Sequence, residues 1–155
     1  MHIRDYIPGE AAELRRVFAS SVHTLARGVY TPEQLDAWAP AAYDQQAWAD
    51  KLNAMRPFVA LIEGRVVGYA DLQATGHVGH FFVAGDASGR GVGGALMRHL
   101  HNVAAARGIS RLSADVSLAA EGFFARHGFV VEQRRTVVAR GVPMANARMV
   151  KAMDG

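Results

Sequence analysis

The chain has 155 residues, 50% hydrophobic and 20% charged, enough to bury a core and ordinary for a globular protein, so one domain spanning 1–155 is expected. Seventeen basic residues against 14 acidic ones give a formal charge of +3, but the arginines are scattered in runs no longer than two, which argues against a nucleic-acid face. The absence of cysteine excludes disulfides, thiolate metal sites and a cysteine nucleophile; no apolar signal core opens the chain and no apolar run approaches the ~20 residues of a membrane span, so a cytoplasmic location is expected.

Residues His2 to Ile7 alternate as a short strand, closed by Pro8 and Gly9, with Pro8 placed to enter the first turn of a helix. From Glu10 to Arg27 the apolar residues Ala11, Leu14, Val17, Phe18, Val22 and Leu25 recur at helical spacing, and Gly28 is a stop. Thr31, Pro32 and Gln34 form a helix-start signal with Thr31 as cap; that helix ends before Pro40. A third helix is expected over Asp44 to Met55. The period then changes to that of strands: Phe58–Ile62 and Val66–Leu72 join through a tight turn at Gly64, and His77–Val83 follows as the next strand of a meander. A helix with a stripe of Val92, Leu96, Leu100 and Val103 runs to about Arg107, and Gly108 caps it. Arg111–Val116 is a strand, Ala119–His127 a short helix stopped by Gly128, Phe129–Gln133 a strand, and the tail from Arg135 supplies one or two more. The fold class is α/β, with a mixed, largely antiparallel sheet covered on both faces.

The run Ser88-Gly89-Arg90-Gly91-Val92-Gly93-Gly94-Ala95 stands between the third meander strand and the long helix. Glycines leave the backbone open to close approach, and a helix start offers unpaired N–H groups with the positive end of its dipole. Together with Arg90 they suit a phosphate or pyrophosphate. Gly89, Gly91 and Gly94 also satisfy G-x-G-x-x-G, and Asp115 ends the next strand where a dinucleotide fold would place its ribose carboxylate. That alternative, an oxidoreductase, requires the first glycine directly after the strand, whereas five residues intervene after Val83. A P-loop lacks its Lys-Ser or Lys-Thr.

Phe81-Phe82-Val83, the five-residue spacer and Gly89 to Leu96 resemble the acetyl-CoA signature of the GNAT N-acetyltransferase superfamily, Gln/Arg-x-x-Gly-x-Gly/Ala, with Gly91 and Gly93 in its last positions and Ser88 where Gln or Arg is usual. Ser117 to Phe129 resembles a second stretch of that family, A-x-x-F-Y-x-x-x-G-F, and the segment from Val22 to Pro40 resembles a subgroup of small bacterial-type acetyltransferases. The resemblance implies a three-layer α/β/α fold whose sheet is splayed between the fourth and fifth strands. It implies acetyl-CoA (coenzyme A) as cofactor, held by the backbone of Phe82 and Val83 with Phe81 beside them, by the amides of Gly89, Arg90, Gly91, Val92, Gly93, Gly94 and Ala95, and by Ser117, Phe123 and Phe124.

The implied activity is acetyl transfer to a primary amine of a small molecule, or of a peptide or protein N-terminus, by direct attack through a tetrahedral intermediate. Phe124 stands where the family's tyrosine acid is usual, and a phenyl ring cannot donate a proton. Tyr30 is a substitute acid if the N-terminal helices fold over the opening, and His80 and His77 are candidate bases. The rival to an enzyme is a catalytically silent acyl-CoA-binding module. His23, Tyr30, Trp38, Tyr43 and Trp48 suggest an aromatic acceptor pocket, and Asp71 or Asp36 could attract an ammonium group. No metal, membrane or nucleic-acid partner is expected; a homodimer is compatible with the family.

Overall fold

A computed structural model describes residues 1–153. The elements run β1 (His2–Asp5), α1 (Ala11–Ser20), α2 (Pro32–Trp38), α3 (Gln45–Met55), β2 (Phe58–Ile62), β3 (Arg65–Ala70), β4 (His77–Val78), β5 (Phe81–Val83), α4 (Val92–Ala106), β6 (Arg111–Ser117), α5 (Glu121–Arg126), β7 (Val130–Ala139) and β8 (Val142–Ala152). They build two four-stranded sheets, ordered β1-β2-β3-β5 and β4-β6-β8-β7. The sheets meet where the expected strand His77–Val83 breaks, so the opening lies between the fourth and fifth strands of the sequence reading.

Local chemistry sets several boundaries. The Thr31 hydroxyl accepts from the Gln34 N–H while the Gln34 side chain accepts from the Thr31 N–H, a complete capping box at the start of α2. Asp44 caps α3 by accepting from the Ala47 N–H. Glu63 and Gly64 both take positive φ, the backbone of a tight hairpin turn, and Arg140 and Gly141 repeat it between β7 and β8.

Four expectations need correction. Pro8 lies outside α1, because Gly9 turns the chain at φ 106° and the helix begins at Ala11. The first helix ends as α-helix at Ser20 and continues as one π-helical turn, Ser21–Leu25. The strand expected over Phe129–Gln133 runs on to Ala139 as one long β7, with a register shift between Val131 and Gln133. The helix expected over Ala119–His127 is confined to Glu121–Arg126.

The layers follow from alternation along β3. A Cβ at Gly68 would lie 2.9 Å from Val92 and 3.1 Å from Leu96, so its missing side chain lets α4 pack closely. Tyr69 faces the other way, toward Phe82 and the α1 side. Leu14 and Val17 of α1, Leu52 of α3, Leu96, Met97 and Leu100 of α4, and Leu112 of β6 are fully buried in the same cluster. Among the described residues, no helix is long and apolar enough to cross a membrane.

Candidate active site

The break between β4 and β5 is built by one carboxylate. Asp71 is fully buried, and its Oδ1 accepts from the main-chain N–H groups of Gly79 (2.8 Å) and His80 (2.6 Å). Burial pushes its pKa up, and those two N–H bonds oppose the shift. A side chain at Gly79 would crowd Gln73 and the Asp71 carboxylate at 3.1–3.3 Å. With two N–H groups bound to Asp71, β4 stays parallel to β6 (His77 opposite Ser113) while β5 turns antiparallel along β3.

Hydrogen bonds from Asp71 N–H to His80 C=O and from Ala84 N–H to Val67 C=O fix the alternation along β5. Tyr69 and Phe82 are then the bonded pair, and the N–H and C=O groups of Phe81 and Val83 face away from β3, into the gap. Phe82, expected to offer its backbone to the gap, instead presents its ring. The gap widens into a cleft of about 460 Å³ lined by Phe81, Val83, Ser88, Ser117, Phe123 and Arg126, among others.

One end of the cleft is the start of α4. Gly89 and Gly91 have φ of 78° and 81°, with open space where each Cβ would stand. Gly91 caps the helix without any side-chain hydrogen bond. The first intrahelical bond runs from Ala95 N–H to Gly91 C=O, so the amides of Val92, Gly93 and Gly94 lack helical partners while that of Ala95 is already used. A Cβ at Gly93 would sit 3.0 Å from the Phe123 ring, which covers this turn. Arg90 is exposed beside it, and Arg126 reaches the cleft. Free donors, bare backbone and two cations fit a diphosphate. Phe124 is buried in a ring cluster with Phe81, Phe123 and Phe129 at 5.1–5.7 Å. The Ser117 hydroxyl accepts from the Ala120 N–H at 3.3 Å.

Across the break lies a second cavity of about 470 Å³, sharing Trp38, Gly79, Phe82, Asp115 and Ser117 with the first. Tyr30, Trp38, Tyr43 and Trp48 line it, whereas His23 donates from Nε2 to the Ala39 carbonyl and lines neither cavity. Asp71 is committed to the strand break and Asp36 is an exposed neighbour of His23, so neither faces an acceptor. Tyr30 reaches the β6–β8 sheet: its hydroxyl donates to the Ala145 carbonyl (2.5 Å) and accepts from the Leu118 N–H (3.0 Å), and burial pushes its pKa up.

His80 lies in the wall of this second cavity, with the rings of Phe18, Trp48, Tyr69 and Phe82 at 5.4–6.1 Å. Burial, with a smaller contribution from the charge of Lys51, pushes its pKa down to about 3, so it is uncharged at neutral pH. Tyr69 is fully buried, and its hydroxyl lies 2.9 Å from His80 Nδ1. A buried phenol needs an acceptor, which assigns its proton to that bond and the imidazole proton to Nε2. His77 lies elsewhere, with Nδ1 2.9 Å from the Ser113 hydroxyl and Nε2 3.6 Å from Asp115. Asp115 is bound by Arg135, with Arg148 at 3.9 Å, which leaves no carboxylate free for a ribose.

Sequence reasoning missed the Asp71–Gly79 device, the Tyr69–His80 pair and Arg15. Only Arg15 carried a signal: it lies four residues after Ala11 on the apolar stripe of α1, where a charge is out of place.

The acetyltransferase (GNAT) domain model matches residues 26–151. The uncharacterized N-acetyltransferase YafP of Escherichia coli (strain K12) is 32% identical over 149 residues, covering 96% of this chain and 94% of that protein. A GCN5-related N-acetyltransferase from Rhodopseudomonas palustris superposes with a TM-score of 0.92 at 37% identity, covering 97% of this chain and 94% of that one. The PaiA N-acetyltransferase of Thermoplasma acidophilum, solved in complex with coenzyme A, has the same fold (TM-score 0.74, 15% identity, 98% and 99% covered). By the match of its sequence and by its split sheet, the chain belongs to the GNAT acetyltransferases, an acyltransferase family.

Proposed function

We propose that this chain is an acetyl-CoA-dependent N-acetyltransferase acting on the primary amine of a small molecule. The observation that carries the reading is the sheet opening itself. Phe81 and Val83 offer unpaired main-chain edges to a cleft that ends at the bare amides of α4, and a second cavity meets it across Gly79 and Phe82. A ligand with peptide-like amides pairs with Phe81 and Val83 as an added strand. Its diphosphate is held by the amides of Val92, Gly93 and Gly94 with Arg90 and Arg126.

Acetyl-CoA supplies an acyl group activated as a thioester. The amine nitrogen forms a bond to the acyl carbon, the carbon–sulfur bond breaks, and the proton lost from nitrogen returns to the departing thiolate or to solvent. His80, neutral and donating from Nε2, acts as a hydrogen-bond donor from the acceptor side rather than as a strong base. Tyr30 holds the turn at Leu118 against β8, and His77 ties β4 to β6. With Phe124 in the tyrosine position, the thiolate departs without a phenol. Thiol release across a panel of primary amines tests the reading: turnover supports it, while tight acetyl-CoA binding with no turnover on any amine selects the silent binding module.

We further propose a cytoplasmic protein that acts as a homodimer through the edge of β7, where Val130 and Val138 are 62% and 68% exposed. A monomeric mass by light scattering at micromolar concentration would remove the dimer.

A further inference from the structure

Arg15 is a charge buried on the wall of the second cavity, 8% exposed. Its guanidinium lies 4.1 Å from the Tyr43 ring centroid, 4.8 Å from Trp48 and 5.1 Å from Phe18. One hydrogen bond, to the Pro40 carbonyl at 2.9 Å, uses one of its five N–H donors. None of the ion pairs among the described residues involves Arg15. A buried cation without an anionic partner is costly and rare, and the fork of a guanidinium matches a carboxylate in two parallel bonds.

The charged side chains of the lining leave a net positive charge, three cations against two carboxylates. Lys51 and Arg140 also line it. Its two acids are engaged, Asp44 capping α3 and Asp115 held by Arg135. Burial depresses both His80 and Arg15, and the two positive neighbours add smaller contributions of the same direction, Lys51 on His80 and Arg140 on Arg15. Such a field disfavours polycationic acceptors and lowers the pKa of a bound ammonium group, which favours the neutral amine needed for attack. Arg15 and His80 share two ring neighbours, Phe18 and Trp48, so the guanidinium and the strand break stand about one aromatic layer apart.

We propose that the acceptor is a small amino acid with an apolar or aromatic side chain, its carboxylate bound by the Arg15 guanidinium while its free amine lies at the Gly79–His80 break. This rests on the acetyltransferase reading above, and deepens it. The separation suits an amino acid; in a peptide the α-carboxylate is at the far end of the chain from the α-amine.

The test uses two matched product pairs and the protein without added coenzyme: N-acetyl-L-phenylalanine against N-acetylphenethylamine, and N-acetyl-L-leucine against N-acetylisoamylamine. Both tryptophans of the chain, Trp38 and Trp48, line the cavity, so their fluorescence reports binding. The carboxylate member should bind about 10- to 100-fold tighter, the worth of hydrogen bonds to a charged group. Arg15→Gln should collapse that ratio, and Arg15→Lys should leave an intermediate one. A ratio near one in the wild-type protein overturns the inference whether or not the variants fold. So does a ratio that survives in a folded Arg15→Gln, or failure of all four ligands to bind. If the carboxylates bind selectively but no amine yields free thiol, the acetyltransferase reading fails and the carboxylate site stands. If decarboxylated amines turn over as well as amino acids, the reverse holds.

Discussion

Acidification should destabilise this protein through the His80 imidazole. His80 has its pKa near 3 in the fold against 6.5 for an ordinary histidine. Between those values the unfolded chain binds a proton that the folded chain refuses, so stability falls as pH falls, and above pH 6.5 the penalty vanishes. Each unit is worth about 1.4 kcal/mol, so at pH 4.5 the loss from His80 alone is roughly 2.7 kcal/mol. One edge of the ring opens to the acceptor cavity, which makes this an upper value. The perturbation is His80→Gln, which does not titrate and can still accept from the Tyr69 hydroxyl. Urea unfolding of both proteins at pH 7.5 and pH 4.5 gives the four free energies needed. The wild type should lose about 2–3 kcal/mol more than the variant over that interval. Parallel losses would refute the burial of a neutral imidazole, and with it the donor role assigned to His80.

Gly91→Val forces a β-branched residue to φ 81° with its side chain in the open mouth of the cleft; isothermal titration should show acetyl-CoA affinity falling at least tenfold while the fold persists, and unchanged affinity would disprove the role of this turn. Asp71→Ala removes the acceptor of the Gly79 and His80 N–H groups and should cost about 2–4 kcal/mol in chemical denaturation, whereas Asp71→Asn keeps an acceptor oxygen and should cost less; equal losses would contradict the hydrogen-bond account of the strand break. Phe124→Tyr adds a hydroxyl to a ring lining the cofactor cleft, and thiol release should stay level or rise; a drop of more than about tenfold would mean that the apolar floor itself is required.

Features written within a few residues were legible in the sequence. The capping box at Thr31, the hairpin at Gly64 and the start of α4 each depend on local chemistry. The aromatic lining of the second cavity was also visible, since Trp38, Tyr43 and Trp48 lie on adjoining segments. The strand break was not. His77 to Val83 keeps a strand-like pattern throughout, and what divides it is a carboxylate eight residues before Gly79. The backbone faces of β5 depend on that break, so the assignment of Phe81 and Val83 to the gap, with Phe82 turned to Tyr69, needed the register. The long β7 escaped because Val137 and Val138 are exposed and carry no alternation. The cations of the second cavity escaped as well, because Arg15, Lys51 and Arg140 come from α1, α3 and the β7–β8 turn, and only the fold gathers them.

The central claim is that a diphosphate-bearing acyl carrier docks in the gap between β5 and β6, against the bare amides of α4. Calorimetric titration of the folded protein with acetyl-CoA, and with NAD as the control, addresses it directly. The account predicts one saturable site for acetyl-CoA with micromolar affinity and no measurable heat from NAD. Absence of acetyl-CoA binding, or equal binding of both, would contradict it.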